Sequence, residues 1–157
     1  MIYAGDEIAM CNDYTYEQDP DKKNDNRWVN RPHHDWHTVK NIRSGKAMPA
    51  ATVYKKIKNL IAIRKLNPVF ADQSNPILHH TGNEHIFMFE RKGNTDQGVL
   101  VICNFTDTRL TINSQLINTL GYLKDHAYRD LVTAKTIPLQ SGLIDLPPYK
   151  ILLLKKQ

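Results

Sequence analysis

Two adjacent carboxylates near the start of the chain, Asp6 and Glu7, are the first side chains that could carry acid–base chemistry. In a paired arrangement, one carboxyl group donates a proton while the other accepts one. Adjacent residues at the end of a strand point to opposite sides, however, so these two side chains would not face one substrate. The sequence therefore argues against paired acid–base catalysis by these two.

A second candidate is a group of histidines farther along the chain, His33, His34 and His37, with Asp35 among them. Imidazole and carboxylate groups bind zinc. A zinc site is usually supported by cysteines or by a second, spaced cluster, and neither is present here. We therefore predict polar loop histidines and no metal. Three further histidines flank a predicted turn and are expected to be exposed: His79, His80 and His85.

The element that would position the two carboxylates is an apolar run, Met1–Ala4, that ends at Gly5. Such a run, followed by a tight turn and polar groups, is typical of a buried parallel strand at its carboxyl edge. A buried strand needs neighbours on both sides and nothing precedes this one, so we expect the chain to continue a larger fold. The length of the polar segment that follows, Asn12–Lys46, predicts either disorder or a binding loop. Its aromatic residues argue against disorder.

A helix and then a series of short strands complete the predicted secondary structure. Pro49 suits a first helical turn, an apolar stripe recurs at helical spacing, and Asn67-Pro68 ends the helix. From Ile77 onward, strand-like runs separated by turns predict an antiparallel β-sandwich. These runs are Ile77–His80, His85–Arg91, Val99–Asn104, Leu110–Asn113, Ala127–Leu131, Leu143–Leu146 and Lys150–Leu154.

The predicted fold is mainly β and divides near Asp72. Residues 1–72 form a β-loop-α unit, and residues 73–157 form the antiparallel β-sandwich. About 85 residues is an ordinary size for a sandwich of seven or eight strands.

Composition limits the classes of function. The 157 residues are 41% hydrophobic and 24% charged, which indicates a globular chain. The net charge of +5 comes from scattered Lys and Arg without a long basic run, so we predict no nucleic-acid role. The distant cysteines, Cys11 and Cys103, predict no disulfide framework and fit a reducing cytoplasm. No apolar run has the length of a membrane span, and no signal peptide is visible.

Several motifs along the chain carry a resemblance to one family. They are Ile2-Tyr3-Ala4-Gly5-Asp6-Glu7, Asn12-Asp13, Asp25-Asn26-Arg27-Trp28-Val29-Asn30-Arg31-Pro32, Arg64-Lys65-Leu66-Asn67-Pro68-Val69-Phe70, Asn104-Phe105 and Leu146-Pro147-Pro148-Tyr149-Lys150. The chain resembles the C-terminal end of the α-amylase superfamily, glycoside hydrolase family 13, and within it the amylosucrases most.

This resemblance implies a (β/α)₈ barrel followed by an antiparallel β-sandwich. Met1–Ala4 would end barrel strand eight, Asn12–Met48 would be its loop, and the helix Pro49–Leu66 would be barrel helix eight. Ile77–Gln157 would be the C-terminal sandwich. Active sites of such barrels lie at the carboxyl ends of the strands, so loop eight would form one wall of a sugar pocket.

The resemblance also implies roles for single residues. Arg27 would pair with a barrel Asp that this chain lacks, close the pocket behind one glucose unit and contact that sugar. Asp25 and Arg31 stand in the same motif and are assigned to substrate binding with it. Trp28 either stacks on a sugar or anchors the loop, and the anchor is favoured because a lone buried Trp is usually packing. Asn30 replaces a His expected in close amylosucrases, which bears on acceptor specificity. Four residues would hold the loop: Asp6, Glu7, Asn12 and Asp13.

The implied reaction is retaining transfer of a glucosyl unit from sucrose to an α-glucan. It needs a carboxylate nucleophile and a carboxylic acid. These, and a third carboxylate, come from barrel strands that are missing here, so the chain alone is expected to be inactive. No cofactor is implied. Without the barrel, one side of the helix would be bare, which predicts an exposed apolar patch and self-association. The stripe concerned is Val53, Ile57, Leu60 and Ile61.

The alternative hypothesis is a non-catalytic β-sandwich module that binds carbohydrate or a partner protein. A line of exposed aromatic residues would support it. None is evident between Ile77 and Gln157, where Tyr122, Tyr128 and Tyr149 are widely spaced.

Overall fold

A computed structural model of the chain describes residues 2–46, 48–71, 75–93, 98–122, 127–137, 139 and 142–157. Within these residues the helices are α1 (Trp36–Arg43), α2 (Pro49–Leu66) and α3 (Ser114–Thr119). The strands are β1 (Ile77–His79), β2 (Ile86–Arg91), β3 (Val99–Asn104), β4 (Leu110–Asn113), β5 (Tyr128–Asp130), β6 (Thr136–Ile137), β7 (Leu143–Leu146) and β8 (Ile151–Lys156). No helix in the described residues combines the length and the apolar character that a membrane span requires.

The chain folds as two compact units, Met1–Leu60 and Ile61–Gln157, and the boundary between them lies within α2. The last turn of α2 belongs to the second unit because Ile63 is part of an apolar cluster of the β-sandwich. The division predicted near Asp72 stays a prediction, and Asp72 itself lies outside the described residues.

Two antiparallel sheets make up the second unit. The larger sheet has the strand order β1-β2-β3-β8-β5-β6, and the smaller sheet pairs β4 with β7. Side chains from both sheets meet in one core, which includes Leu100 and Ile102 from β3, Ile112 from β4 and Leu146 from β7. The fold is therefore the predicted antiparallel β-sandwich.

β3 is buried along its whole length, because both of its faces are covered. Leu100 and Ile102 point into the core between the sheets. Val99, Val101 and Cys103 point the other way, into a second cluster that the end of α2 and the residues after it help to cover. Strands covered on both faces appear as continuous apolar runs, which is why this strand was predicted with its observed bounds.

Asn104, at the end of β3, joins three segments of the sandwich. Its side-chain amide nitrogen donates to the carbonyl oxygens of Thr108 at 2.8 Å, Leu146 at 3.0 Å and Pro147 at 3.1 Å. Its side-chain oxygen accepts from the backbone N–H of Thr106 at 2.8 Å. Asn104 is only 1% exposed. Although Asn104-Phe105-Thr106 matches a glycosylation sequon, this buried and fully bonded amide is not presented for modification.

Secondary-structure prediction succeeded for α2 and for most strands and failed for α1, α3 and β6. The bounds of α2, β4 and β7 are those predicted. α1, α3 and β6 were missed because each is short and lacks the clear strand-like pattern that marked β4 and β7. The signal that remained was the helix caps, since the side chain of Asp35 accepts from the Thr38 N–H and that of Asn113 accepts from the Gln115 N–H.

The first described residues form a turn instead of the strand that the apolar run suggested. The Tyr3 N–H donates to the Asp6 carboxylate at 2.8 Å, and the Asp6 N–H donates to the Tyr3 carbonyl at 3.1 Å. Ile2 and Tyr3 are about half exposed, at 51% and 52%. A strand persists only where a neighbour pairs with its backbone, and no described strand pairs with these residues. Their assignment to a barrel strand stays a prediction about a longer protein.

His79 was expected to be exposed, and this expectation is wrong. Its side chain is 13% exposed, and its Nε2 lies 3.7 Å from the carboxylate of the buried Glu90. That carboxylate also accepts from the Tyr122 hydroxyl at 2.9 Å and lies 3.5 Å from the Lys92 ammonium. Burial, reinforced by the bond to Glu90, raises the pKa of Tyr122. β1 pairs His79 with Met88 of the strand that also carries Glu90, and this register buries the imidazole. The sequence of the predicted strand Ile77–His80 did not reveal that pairing.

We predict that Asn104→Ala lowers the free energy of unfolding by about 2–4 kcal/mol, because it leaves buried carbonyl groups without donors. Urea unfolding at constant m-value measures the change. The matched control is Asn59→Ala, at an exposed position of α2, which should change the stability by less than about 0.5 kcal/mol. Equal effects of the two substitutions would contradict the role given to Asn104.

Candidate functional site

The polar segment that sequence analysis assigned to substrate binding is folded in the first unit around short 3-10 helices. These helices span Thr15–Gln18 and Asn26–Asn30. The Asp13 N–H donates to the Val29 carbonyl at 2.9 Å and so ties the start of the segment to the second helix. The Asp13 carboxylate accepts from the backbone N–H and the hydroxyl of Thr15, and these bonds lower the pKa of Asp13.

Asp25 and Arg27 form a bidentate ion pair at the start of the 3-10 helix Asn26–Asn30. Arg27 Nε and Nη2 each donate to one carboxylate oxygen of Asp25 at 2.7 Å. The same carboxylate caps the helix by accepting from the Arg27 backbone N–H at 3.0 Å. The Arg27 hydrogen bonds hold the pKa of Asp25 at about 2. The pair uses Nε and Nη2 of the guanidinium, and the Arg27 side chain is 70% exposed, which leaves Nη1 without a partner among the described residues.

Trp28 is half-buried and has two cations beside its indole ring. The Lys22 ammonium lies 5.3 Å from the ring centroid, and the Arg31 guanidinium carbon lies 6.0 Å from it. Lys22 is in turn fixed by Asp19 at 2.8 Å. Cations over an aromatic face attract the ring quadrupole and hold the side chain in place. These contacts are those of a loop anchor, and a role of Trp28 or Arg31 in binding sugar stays a prediction.

The four residues predicted to hold the loop have different surroundings. The Asp6 carboxylate accepts from the Tyr3 N–H, and the Glu7 carboxylate accepts from the Gly5 N–H at 2.9 Å. Gly5 has a φ of +104° in this turn, a region that favours glycine. Each carboxylate therefore binds nearby backbone and does not share a proton with the other. Asn12 is exposed, and Asp13 makes the bonds described above.

The histidines of this segment do not gather into a metal site. Within the described residues, no three side chains of His, Cys, Asp or Glu converge as metal ligands would. The Asp35 carboxylate caps the N-terminus of α1, where it accepts from the Thr38 N–H and hydroxyl. The His34 ring packs edge-on against Trp36, with ring centroids 4.6 Å apart.

A pocket that sequence analysis did not foresee lies in the same unit. Its volume is about 180 Å³, and its lining comes from the turn after Gly5, from α1 and from the first turns of α2. The lining residues are Glu7, Ile8, His34, Trp36, Val39, Ile42, Arg43 and Tyr54. The overlooked signal was the spacing of Trp36, Val39 and Ile42, which places these residues on one face of a short helix.

Comparison with known proteins identifies the fold. No protein-family model matches the chain. AmyP in complex with maltose shares the fold at a TM-score of 0.54 and 16% identity, over 68% of this chain and 20% of that chain. Amy13B of Eubacterium rectale shares the fold at a TM-score of 0.50 and 21% identity, over 67% of this chain and 20% of that chain. The third neighbour is a mutant of MutB, the trehalulose synthase of Pseudomonas mesoacidophila, in complex with glucose. It shares the fold at a TM-score of 0.50 and 20% identity, over 67% of this chain and 18% of that chain.

These neighbours are enzymes of the α-amylase family, glycoside hydrolase family 13. The chain spans about a fifth of the length of each neighbour described. At this level of identity the likeness concerns the fold, and the predicted mainly β fold with an antiparallel sandwich is confirmed.

We predict that the Asp25–Arg27 pair survives mild acid. Because the folded-state pKa of Asp25 is depressed, the contribution of the pair is fully present above the ordinary value of 3.8 and is lost as the pH falls through about 2. Carboxyl carbon chemical shifts measured by NMR over this range give the midpoint directly. In Arg27→Gln the midpoint should rise toward 3.8. A midpoint near 3.8 in the unsubstituted chain would show that the pair does not form in solution.

Proposed function

We propose that this chain is the C-terminal part of a family 13 α-glucan-active enzyme, most like an amylosucrase, that transfers glucosyl units from sucrose to an α-glucan. The observation that carries the proposal is the fold, a β-sandwich shared with AmyP, Amy13B and MutB, preceded by a long loop and a helix. Two of these neighbours have sugars bound, AmyP maltose and the MutB mutant glucose. The motifs of the first 70 residues add the closer likeness to amylosucrase.

In this proposal the first unit is the last β-loop-α part of a barrel. Residues 1–4 end a strand, residues 12–48 form its loop, and α2 is its helix. The exposure of Leu60 at 37% and Ile61 at 41% supports this, because a helix of a closed barrel keeps its apolar side for neighbouring elements. Loop residues at the carboxyl end of the strand would then wall a sugar pocket.

Arg27 is the residue to which we assign substrate binding in the longer enzyme. Its Nε and Nη2 are held by Asp25, which orients the planar guanidinium, while the exposed Nη1 edge remains for a second acceptor. A carboxylate from another barrel strand and a sugar hydroxyl are both acceptors of the required kind. Asp25 is thus a positioning residue in this proposal, and Trp28 and Arg31 shape the same loop.

The reaction proposed for the longer enzyme is retaining. One carboxylate attacks the sugar to form a covalent glucosyl-enzyme, and a carboxylic acid protonates the leaving oxygen. Those groups would belong to barrel strands that precede this chain, since Asp6 and Glu7 are each bound to nearby backbone. The proposal requires no cofactor.

We expect the 157-residue chain alone to release neither fructose from sucrose nor reducing sugar from amylose, because the carboxylates of the reaction lie outside it. In the protein expressed with its upstream coding sequence, Arg27→Lys should lower kcat/KM for sucrose by about 10- to 1,000-fold, since lysine cannot reproduce the bidentate fork. Enzyme-coupled detection of fructose measures both results.

The matched control for that experiment is Lys23→Gln, which removes a charge from an exposed side chain of the same loop. It should leave kcat/KM within about twofold, because charges on a solvated surface contribute little. Sucrose turnover by the isolated chain, or an equal loss in the two variants, would contradict the proposal.

A second candidate function, binding of a partner protein, is favoured by aromatic residues that the structure brings together. Phe87 and Phe89 lie 5.4 Å apart and Phe87 and Phe105 lie 6.3 Å apart, measured between ring centroids. Phe87 is 44% exposed and Phe105 is 66% exposed. The sequence showed no line of exposed aromatic residues in the sandwich, whereas the structure groups these three. The grouping was missed because Phe105 follows β3 in sequence but neighbours β2 in space.

This phenylalanine patch, Phe87, Phe89 and Phe105, suits a protein surface better than a sugar. Phenylalanine offers an apolar face without a polar tip, and contiguous apolar patches mark contact sites. In the isolated chain, the available protein partner is a second copy.

Self-association through the phenylalanine patch should be weakened by Phe105→Ser. We expect the dimer dissociation constant to rise about tenfold or more, which corresponds to about 1.4 kcal/mol for the lost apolar contact. Sedimentation equilibrium measures it. Leu143→Ser, an equally exposed apolar position on β7, is the control and should leave the constant unchanged. A chain that is monomeric throughout, or two variants with the same effect, would rule out the patch as the interface.

A further inference from the structure

The 3-10 helix Asn26–Asn30, which carries Arg27, depends on outside contacts for its orientation. Helices of this kind have poor hydrogen-bond geometry and seldom run beyond four residues, so they are weak by themselves. The backbone bond from the Asp13 N–H to the Val29 carbonyl, at 2.9 Å, holds the second half of the helix. The contacts around its first half decide how the Arg27 side chain is presented.

Lys22 contacts the chain both before and after Arg27. Its carbonyl oxygen accepts from the Asp25 N–H at 2.9 Å, and its ammonium lies 5.3 Å from the centroid of the Trp28 ring. Asp25 is the residue whose carboxylate pairs with the Arg27 guanidinium. One lysine therefore supports both the partner of Arg27 and the residue that follows Arg27.

Lys22 is itself fixed by Asp19. Its ammonium lies 2.8 Å from one oxygen of the Asp19 carboxylate, and the other oxygen accepts from the Asp21 N–H at 3.0 Å. The Lys22 N–H also donates to the Asp19 carbonyl at 3.0 Å. A lysine held in this way has already lost part of its rotamer freedom, so its contact with the Trp28 ring costs less entropy.

The direction of the Trp28 side chain is coupled to that of Arg27. A 3-10 helix has three residues per turn, so side chains of adjacent residues leave its axis about 120° apart. Holding the indole therefore limits rotation of the helix about its axis, and with it the direction of Arg27. The Arg31 guanidinium carbon, at 6.0 Å from the ring centroid, is at the outer limit of a cation–π contact, so Lys22 is the closer of the two cations.

We propose that Lys22 is a positioning residue for Arg27, which it orients by holding the indole of Trp28. The inference rests on the proposed function in one respect, because only there is Arg27 assigned to substrate binding. The orientation of Arg27 can be measured without that assignment, since every residue of the contact belongs to the first unit.

The test in the 157-residue chain is the mobility of Arg27, measured by ¹⁵N NMR relaxation of its backbone amide and its side-chain Nε–H. Lys22→Met keeps an apolar stem and removes the cation. The order parameter of the backbone amide should then fall from about 0.85 toward about 0.6 or less, and that of Nε should fall with it. Lys22→Arg returns a cation to the ring and should restore both values. Lys23→Met, at the exposed neighbouring position, is the matched control and should change neither.

A double-mutant cycle separates an action through the Trp28 ring from a general effect on the loop. If Lys22 acts through the ring, Lys22→Met should have no further effect on the order parameters of Arg27 in a Trp28→Leu background. A role of Lys22 confined to its own turn would lower those order parameters equally in both backgrounds.

The consequence for catalysis is measured in the protein expressed with its upstream coding sequence. Lys22→Met should lower kcat/KM for sucrose by about threefold to thirtyfold, the range expected for loss of one cation–π contact. Lys22→Arg should stay close to the unsubstituted enzyme, and Lys23→Met should stay within about twofold of it.

The proposal is overturned if Lys22→Met and Lys23→Met give equal order parameters, if Lys22→Arg does not restore them, or if the effects in the cycle are additive. Unchanged sucrose turnover in Lys22→Met would overturn it as well. A longer protein that turns over no sucrose in any form would instead contradict the proposed function, and the relaxation measurements would still decide whether Lys22 positions Arg27.

Discussion

Coverage of both faces of β3 is the constraint on which the sandwich depends. Leu100 and Ile102 fill the space between the two sheets, while Val101 and Cys103 require cover on the outer face. That cover comes partly from Ile63, at the end of α2. Because each buried aliphatic side chain is worth about 1.5–3 kcal/mol, exposing the outer face would be costly. The last turn of α2 is therefore bound to the sandwich, which explains why the boundary between the two units falls inside a helix.

The sequence predicted the features that neighbouring residues specify and missed those that depend on residues far apart in the chain. β3 and α2 carry continuous or periodic apolar patterns, and those patterns are read directly from neighbouring residues. The phenylalanine patch and the burial of His79 depend on strand register, which pairs residues far apart in sequence. The residues around a histidine in a short strand do not indicate that it will lie near Glu90. The pocket was missed for the same reason, since Glu7, Arg43 and Tyr54 come from separate segments.

The first unit is held by a different kind of interaction. Its described residues include few buried positions, namely Gly5, Ile8 and Ala50, so apolar burial cannot fix the course of the loop. Carboxylates bound to nearby backbone do so instead: Asp13 holds Thr15, Asp25 holds Arg27 and Asp35 holds Thr38. These pairs are two or three residues apart, so a sequence rich in Asp and Asn predicts turns well, but it does not show which side chain will remain free.

The difference between the two units bears on how a binding loop can be built. Bonds between residues two or three apart set the local course of the chain whether or not a ligand or another protein segment is present. Arg27 illustrates the result, because Asp25 fixes its plane while most of the side chain stays in solvent. An arginine oriented in this way loses less side-chain entropy when a second acceptor arrives, and more of the interaction energy then appears as affinity. Local carboxylate pairing thus orients the Arg27 guanidinium without the apolar burial that orders the sandwich.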